Sequence, residues 1–292
     1  MKPQFTYIIP VFNKQDIIGK TVAAVFQCSS ANSEVIVVID GCTDKTEAVV
    51  DGEAAKANRI IKKIHMPDVH MLLSVNAALR VAKGDYIVVM QDDIVLREPS
   101  FETKIVDVYK RLGPRLGVIS LRLGANVSVD PSWRRVLCPW RKPLIYEMDY
   151  IQGESDTQNY TKAPYEKFVP RMAAINGPNI IPRTVLNAVG ILDEKLAPYG
   201  YDDPEYCLRA ISKGFVNGLF PLRYESREEW GGTRRSKKFK AEVAAIHLRN
   251  RRYIFQKHSK QIRQLWRTGA LNRSSSEQVA IDHCINTDKG ET

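Results

Sequence analysis

The chain has 292 residues and 44% apolar content, enough to bury a substantial core without disulfide support. Its five cysteines (Cys28, Cys42, Cys138, Cys207 and Cys284) are odd in number and form no C-x-x-C pair, which excludes a disulfide scaffold and points to a reducing, cytoplasmic compartment. Lys and Arg total 43 against 33 Asp and Glu, a formal charge of +10 gathered late in the chain, so anionic partners are favoured.

The absence of a helix-turn-helix, zinc-finger or aromatic recognition motif argues against nucleic acid as that partner. The opening residues Met1–Thr6 lack the long apolar region of a signal peptide, and no stretch approaches the ~20 apolar residues needed to span a bilayer. The expectation is a soluble, cytoplasmic protein whose basic surface is open to peripheral contact with an anionic membrane.

In chain order, Thr6–Val11 reads as an apolar strand closed by Pro10 and Asn13. Ile17, Ile18, Thr21, Val22, Val25 and Phe26 recur at helical spacing and predict a helix over 15–28. Glu34–Asp40 is a second buried strand, followed by a Gly41-Cys42-Thr43 turn in which Thr43 is expected to cap a helix through Val50. A strand over 59–64, a helix over 70–81, a strand over 85–91, a helix over 101–112 and a strand over 116–121 complete the first half. This alternation predicts a parallel sheet with right-handed crossovers.

From Ala125 to Met172 the periodicity fades, while Trp133, Trp140, Tyr146, Tyr150, Tyr160 and Tyr165 crowd the segment. It is expected to be an acceptor-side insertion whose aromatics either stack on sugars or pack a subdomain. A helix over 183–189 follows. Pro204 suits a first helical position, which would make Asp203 the N-cap of a helix through Ser212. Phe215–Tyr224 reads as one strand and 238–268 as a long basic helix. A single domain over 1–268 is expected, with a disordered tail over 269–292.

Two places carry chemistry. The apolar run Tyr86–Met90 ends in Gln91-Asp92-Asp93, which puts carboxylates at the C-terminal tip of a strand, where α/β sheets bind ligands. Oxygen ligands on a rigid strand end suit Mg2+ or Mn2+, which can bridge to phosphates. No G-x-G-x-x-G or Walker loop follows the first strand, so phosphate must be met another way, and a metal is the candidate. The second place is Asp202-Asp203, adjacent acids at a helix start, one able to cap while the other acts as a base.

Taken together, YIIPVFNK (7–14), VVIDGCTDKT (37–46), AKGDYIVVMQDD (82–93) and GILDEKLAPYGYDDPEYCLRA (190–210) resemble the inverting family 2 glycosyltransferases of the GT-A fold, over roughly residues 5–225. The resemblance implies an α/β GT-A-type nucleotide-binding fold with a central, mostly parallel sheet flanked by helices. It also implies metal-assisted transfer of a sugar from a nucleotide-diphosphate sugar to a glycan or lipid-linked acceptor. Residue by residue, it assigns Pro10, Val11, Asn13, Asp40 and Asp92 to the nucleotide, Asp93 to the metal, and Asp203, or else Asp202, to the general base. Gln91 stands where the family commonly has an acid, which weakens the metal site and leaves the donor diphosphate to complete it. Arg234 and Arg235, beside Gly231-Gly232, are candidates for a phosphate-gripping lid, with a flexible basic connector the plainer alternative. Asp193 is expected to be structural, and His247 and His258 to be packed or solvated helix residues. A nucleotidyltransferase, and a non-catalytic carbohydrate-binding module on a degenerate scaffold, stand as alternatives.

Overall fold

The computed structural model describes residues 2–155, 159–175, 177–230 and 237–268. The first half runs β1 (Phe5–Val11), α1 (Ile18–Cys28), β2 (Glu34–Asp40), α2 (Thr46–Lys56), β3 (Ile61–Met66), α3 (His70–Leu79), β4 (Tyr86–Val89), β5 (Val95–Leu96), α4 (Phe101–Leu112) and β6 (Leu116–Ser120). The second continues with β7 (Leu123–Val129), α5 (Ser132–Leu137), β8 (Ile145–Gly153), β9 (Thr161–Ala163), β10 (Val169–Pro170), β11 (Ala173–Ile175) and β12 (Asn179–Pro182). It ends with α6 (Arg183–Val189), α7 (Asp202–Ser212), β13 (Val216–Leu219), β14 (Tyr224–Glu225) and α8 (Lys237–Thr268).

An eight-stranded sheet has the order β10-β13-β6-β12-β4-β1-β2-β3, and β11-β7-β8-β9 form a second, four-stranded sheet. Strands β1 and β2 are near-continuous runs of β-formers, FTYIIPV and EVIVVID, and are buried on both faces. Such strands persist only where helices cover both sides of the sheet. Helices α1 and α4 cover one face through Val22, Val25, Phe101 and Ile105. Helices α3 and α7 cover the other through Leu72 and Leu208, while α8 packs on α7, β7 and β8 and adds Ile254 to the same core.

The expected α/β layer is therefore present, with a parallel part formed by β4-β1-β2-β3. Strand β12 departs from it, running antiparallel between β4 and β6. Proline in the central strand β1 costs little. Met90 N–H bonds Ile8 O at 2.9 Å as the last rung toward β4. Pro10 lies two residues on, on the same side of the strand, where the neighbouring strand has already turned away.

Several local expectations need correction. Thr43 does not cap α2: its N–H donates to Asn13 Oδ1 at 2.8 Å, the helix begins at Thr46, and Asp44 Oδ1 accepts the Thr46 N–H instead at 2.9 Å. Asp203 is not an N-cap, because α7 begins at Asp202 after Tyr201 in a left-handed conformation. Pro204 still fits, since its missing N–H falls in the first turn. The 215–224 strand divides into β13 and β14, parted by a bend through Pro221. The stretch 125–172 holds antiparallel pairing of β7 with β8, from Leu123↔Gln152 to Val129↔Ile145, with one register shift between Gly124 and Asn126. Burial along these strands follows no period of two, β7 being buried through Val127 and β8 only at its ends, so sequence periodicity could not reveal the pair.

Helix α8 is clamped onto α7 by a fully buried Glu205. Arg209 Nε donates to it at 2.9 Å, Lys257 Nζ at 2.7 Å, and His258 Nε2 lies at 3.2 Å. Burial raises the Glu205 carboxyl, but His258, Arg209 and Lys257 outweigh this and hold it below its ordinary value. Its stabilisation is therefore present above the unfolded glutamate pKa and lost as pH falls through the lower native one. Glu205→Ala removes the buried acceptor that Arg209, Lys257 and His258 share, and urea denaturation should register a loss of about 1–3 kcal/mol. Lys257 also reaches Asp193 Oδ2 at 2.6 Å, so Asp193 braces the same helix.

Candidate active site

The C-terminal ends of β1, β2 and β4 meet at one edge of the large sheet. Pro10, Val11 and Asp40 are buried there, so the two β1 residues offer a ligand only backbone. Asp40, 3% exposed, accepts the Val69 N–H through Oδ1 at 2.9 Å and thereby anchors the loop before α3. Asn13 joins the two turns, its amide group spanning Thr43 N–H and, at 3.3 Å, Thr43 Oγ1. Gly41 adopts φ +66°, and a Cβ there would come within 2.7 Å of Asp68 N, so only glycine fits. The surface at this edge is supplied by Phe12, Asn13, Thr43 and Asp68.

Beyond β4 the chain turns through Gln91-Asp92-Asp93. Burial pushes the Asp92 carboxyl up to about 7, against the pull of Lys14 and with the help of Asp93. Lys14 Nζ lies 3.9 Å from Asp92 Oδ1 and donates to Trp230 O. On the other side of the turn, Arg122 Nη1 donates to Gln91 Oε1 at 3.1 Å. Asp93 is half-buried, and none of the described residues pairs with its carboxylate. Two cations thus flank a turn bearing two carboxylates. Lys14 lay inside a recognised motif but drew no assignment, and Arg122 gave no sequence signal because its partner is thirty-one residues away.

The second acid pair arrives from α7. Asn179 Nδ2 donates to Asp203 Oδ1 at 2.9 Å, and Asn179 is the residue of β12 that pairs with Val89 at the end of β4. Asp203 is consequently held at the same sheet edge as Gln91–Asp93. Asp202 instead accepts the Gly200 N–H at 2.9 Å, and burial raises its carboxyl above the ordinary value. Glu147 of β8 is a third acid nearby, unforeseen from sequence. Burial raises it, opposed by the Tyr150 hydroxyl at 2.9 Å and by Arg251.

His247 packs between Tyr199 and Tyr201, ring centroids 5.9 and 5.4 Å apart, and directly over Gly200. Gly200 has φ +96°, and a Cβ there would stand 2.5 Å from the imidazole. His258 is buried on Glu205. Both histidines are packed helix residues, as expected. Arg234 and Arg235 lie outside the described residues.

Among the described residues no three His, Cys, Asp or Glu side chains form a metal-holding group. The open carboxylate of Asp93 beside the raised one of Asp92 still suits a cation that takes one or two carboxylates and completes its shell with phosphate and water. The residues present fit Mg2+ or Mn2+ in that manner.

The sequence model of the family described as Glycosyl transferase family 2 matches residues 6–167. A curated relative, "Glycosyltransferase GlyG" of Streptococcus pneumoniae serotype 4, is 25% identical over 112 residues, 38% of this chain and 37% of the relative. The match thus spans little more than a third of that protein. Among solved structures, a mannosyltransferase from Pyrobaculum calidifontis in complex with GDP-Man and Mn2+ is similar at a TM-score of 0.51 and 17% identity, covering 76% of this chain and 55% of that one. S. aureus TarS 1-349 in complex with UDP-GlcNAc is similar at 0.54 and 15%, covering 90% and 70%. At these identities the likeness concerns the fold.

Proposed function

The chain belongs to glycosyl transferase family 2, and from that premise we propose that it moves a sugar from a nucleotide-diphosphate donor to an acceptor hydroxyl, with inversion and with help from a divalent cation. The observation that carries this is the Asn179–Asp203 hydrogen bond, which ties the acid of α7 to the strand beside β4 and so to the Gln91–Asp93 turn.

The donor diphosphate would lie at that turn, its charge met by Lys14 and Arg122, with Asp93 and Asp92 holding the cation. When bound, Mg2+ or Mn2+ would act as a Lewis acid on the departing diphosphate. The nucleoside would rest against Asn13 and the turn closed by Gly41, with Asp40 bracing the loop behind it.

Asp203 is the base. It takes the proton of the acceptor hydroxyl as the oxygen bonds to the anomeric carbon, while the bond from that carbon to the diphosphate breaks on the opposite face. Asp202, raised by burial and engaged with Gly200 N–H, shapes the turn. The acceptor is a glycan or a lipid-linked sugar.

Incubation with a panel of nucleotide sugars and Mn2+ tests the reading. Slow donor hydrolysis should release nucleoside diphosphate. Release of pyrophosphate would make the chain a nucleotidyltransferase, and donor binding without any hydrolysis would make it a carbohydrate-binding module.

A further inference from the structure

Resting on the glycosyltransferase reading, we propose that residues 131–142 seat this chain on an anionic bilayer and that the basic cavity behind them holds the phosphate of a lipid-linked acceptor. The cavity has a volume of about 550 Å3 and is lined by Arg134, Arg141, Lys142, Arg251 and Arg252, with Trp140 and a single acid, Asp130. Asp130 offsets only one of them, Arg134. Its carboxylate accepts Leu144 N–H at 3.0 Å, the Tyr146 hydroxyl, and Arg134 Nη1 at 3.3 Å. Neither Arg141 nor Lys142 makes an ion pair among the described residues.

Arg252, half-buried, lines the same cavity and likewise makes no ion pair among the described residues. Guanidinium with phosphate is among the stronger charge-assisted pairings.

The segment that supplies Arg134, Trp140, Arg141 and Lys142 to the cavity also exposes apolar side chains. Trp133, Val136, Leu137 and Trp140 are 62%, 79%, 66% and 77% exposed. Three of them share one face of α5, at i, i+3 and i+4. Isolated exposed apolar residues are ordinary, but four large ones in a single short segment mark an interaction surface. Tryptophans bracketed by Arg134, Arg141 and Lys142 have the composition of a segment resting among lipid headgroups, apolar ridge inward and cations against phosphates. Charge complementarity therefore selects the occupant. No helix among the described residues is long and apolar enough to cross a membrane, so contact of this kind would be peripheral.

The cavity also adjoins the reaction centre. The Arg251 guanidinium lies over the Tyr146 ring at 5.0 Å and over the Tyr201 ring at 5.9 Å, and Tyr201 precedes Asp202. A phosphate in the cavity is thus one aromatic side chain from the turn that carries Asp203. An acceptor hydroxyl on a sugar attached to that phosphate would fall beside the base.

Cosedimentation of the whole chain with vesicles tests the ridge. Binding is expected to phosphatidylcholine vesicles containing phosphatidylglycerol and not to phosphatidylcholine alone, with part of it surviving high salt. The variant W133S/W140S should weaken it by about tenfold, because the apolar area entering the interface is lost. Short-chain phosphatidylglycerol, followed by tryptophan fluorescence, tests the cavity, and Lys142→Gln with Arg252→Gln should weaken its binding by about tenfold through lost charge-assisted contacts. Unchanged vesicle binding by W133S/W140S would overturn the ridge assignment. Saturable binding of inorganic phosphate with no vesicle binding would overturn the membrane and leave a soluble phosphorylated acceptor. A dimer in solution that W133S/W140S converts to monomer, without vesicle binding, would give the ridge to a second copy of the chain. All of these are read without donor, so they fail independently of nucleoside diphosphate release.

Discussion

Asp203→Asn abolishes sugar transfer while donor binding and folding survive. The substitution is isosteric, and an asparagine Oδ1 can still accept the Asn179 N–H that Asp203 accepts at 2.9 Å, so the turn keeps its shape. What disappears is the capacity to take a proton from the acceptor hydroxyl. Removing a positioned general base costs about 10²–10⁴-fold in rate. The loss should fall on kcat, with the thermal shift produced by the nucleotide sugar unchanged. Asp202→Asn makes the informative contrast. Its carboxyl is already raised by burial and engaged with Gly200 N–H, so a neutral amide changes little and transfer should largely persist. Full turnover by Asp203→Asn together with a collapse in Asp202→Asn would exchange the two roles.

Asp93→Ala removes metal-dependent binding of the nucleotide diphosphate. Asp93 carries the open carboxylate of the turn, whereas Asp92 is drawn toward Lys14 and Gln91 toward Arg122. With one carboxylate gone, the cation keeps too few protein oxygens to hold its place against water. Calorimetry with and without Mn2+ should show at least a ~10-fold loss of the metal-dependent increment, comparable to losses seen when metal sites are disturbed less directly. The residual, metal-independent affinity should remain, since Lys14 and Arg122 still meet the phosphate charge. Identical isotherms for the parent chain and Asp93→Ala in Mn2+ would count against Asp93 as a ligand.

The strand–helix alternation was legible because buried parallel strands must be apolar on both faces, and EVIVVID or YIVVM can hardly be read otherwise. The acids at 92–93 and 202–203 stood out as candidates because adjacent carboxylates end an apolar strand in one place and open a helix in the other. Misreadings clustered where a side chain had a distant partner. Thr43 looked like a helix cap, yet Asn13 takes its N–H. Asp203 looked like a cap too, because proline placement constrains the first turn without specifying which residue precedes it. The stretch 125–172 looked irregular, since a strand such as IYEMDYIQG is buried only at its ends and carries its charges in the more open middle.

By itself the amino-acid order determined the layers of this protein, its family, its basic character and the two places where acids gather. Those properties follow from burial patterns and local chemistry, which have periods of two or 3.6 residues and are written into consecutive positions. Only the tertiary structure decided that β12 enters the sheet antiparallel beside β4, bringing Asn179 and with it Asp203 to the Gln91–Asp93 turn. It alone decided that Lys14 and Arg122 flank that turn, and that Arg134, Arg141, Lys142, Arg251 and Arg252 gather around one cavity. Contacts between residues far apart in the chain depend on how whole layers pack, and no local period records them.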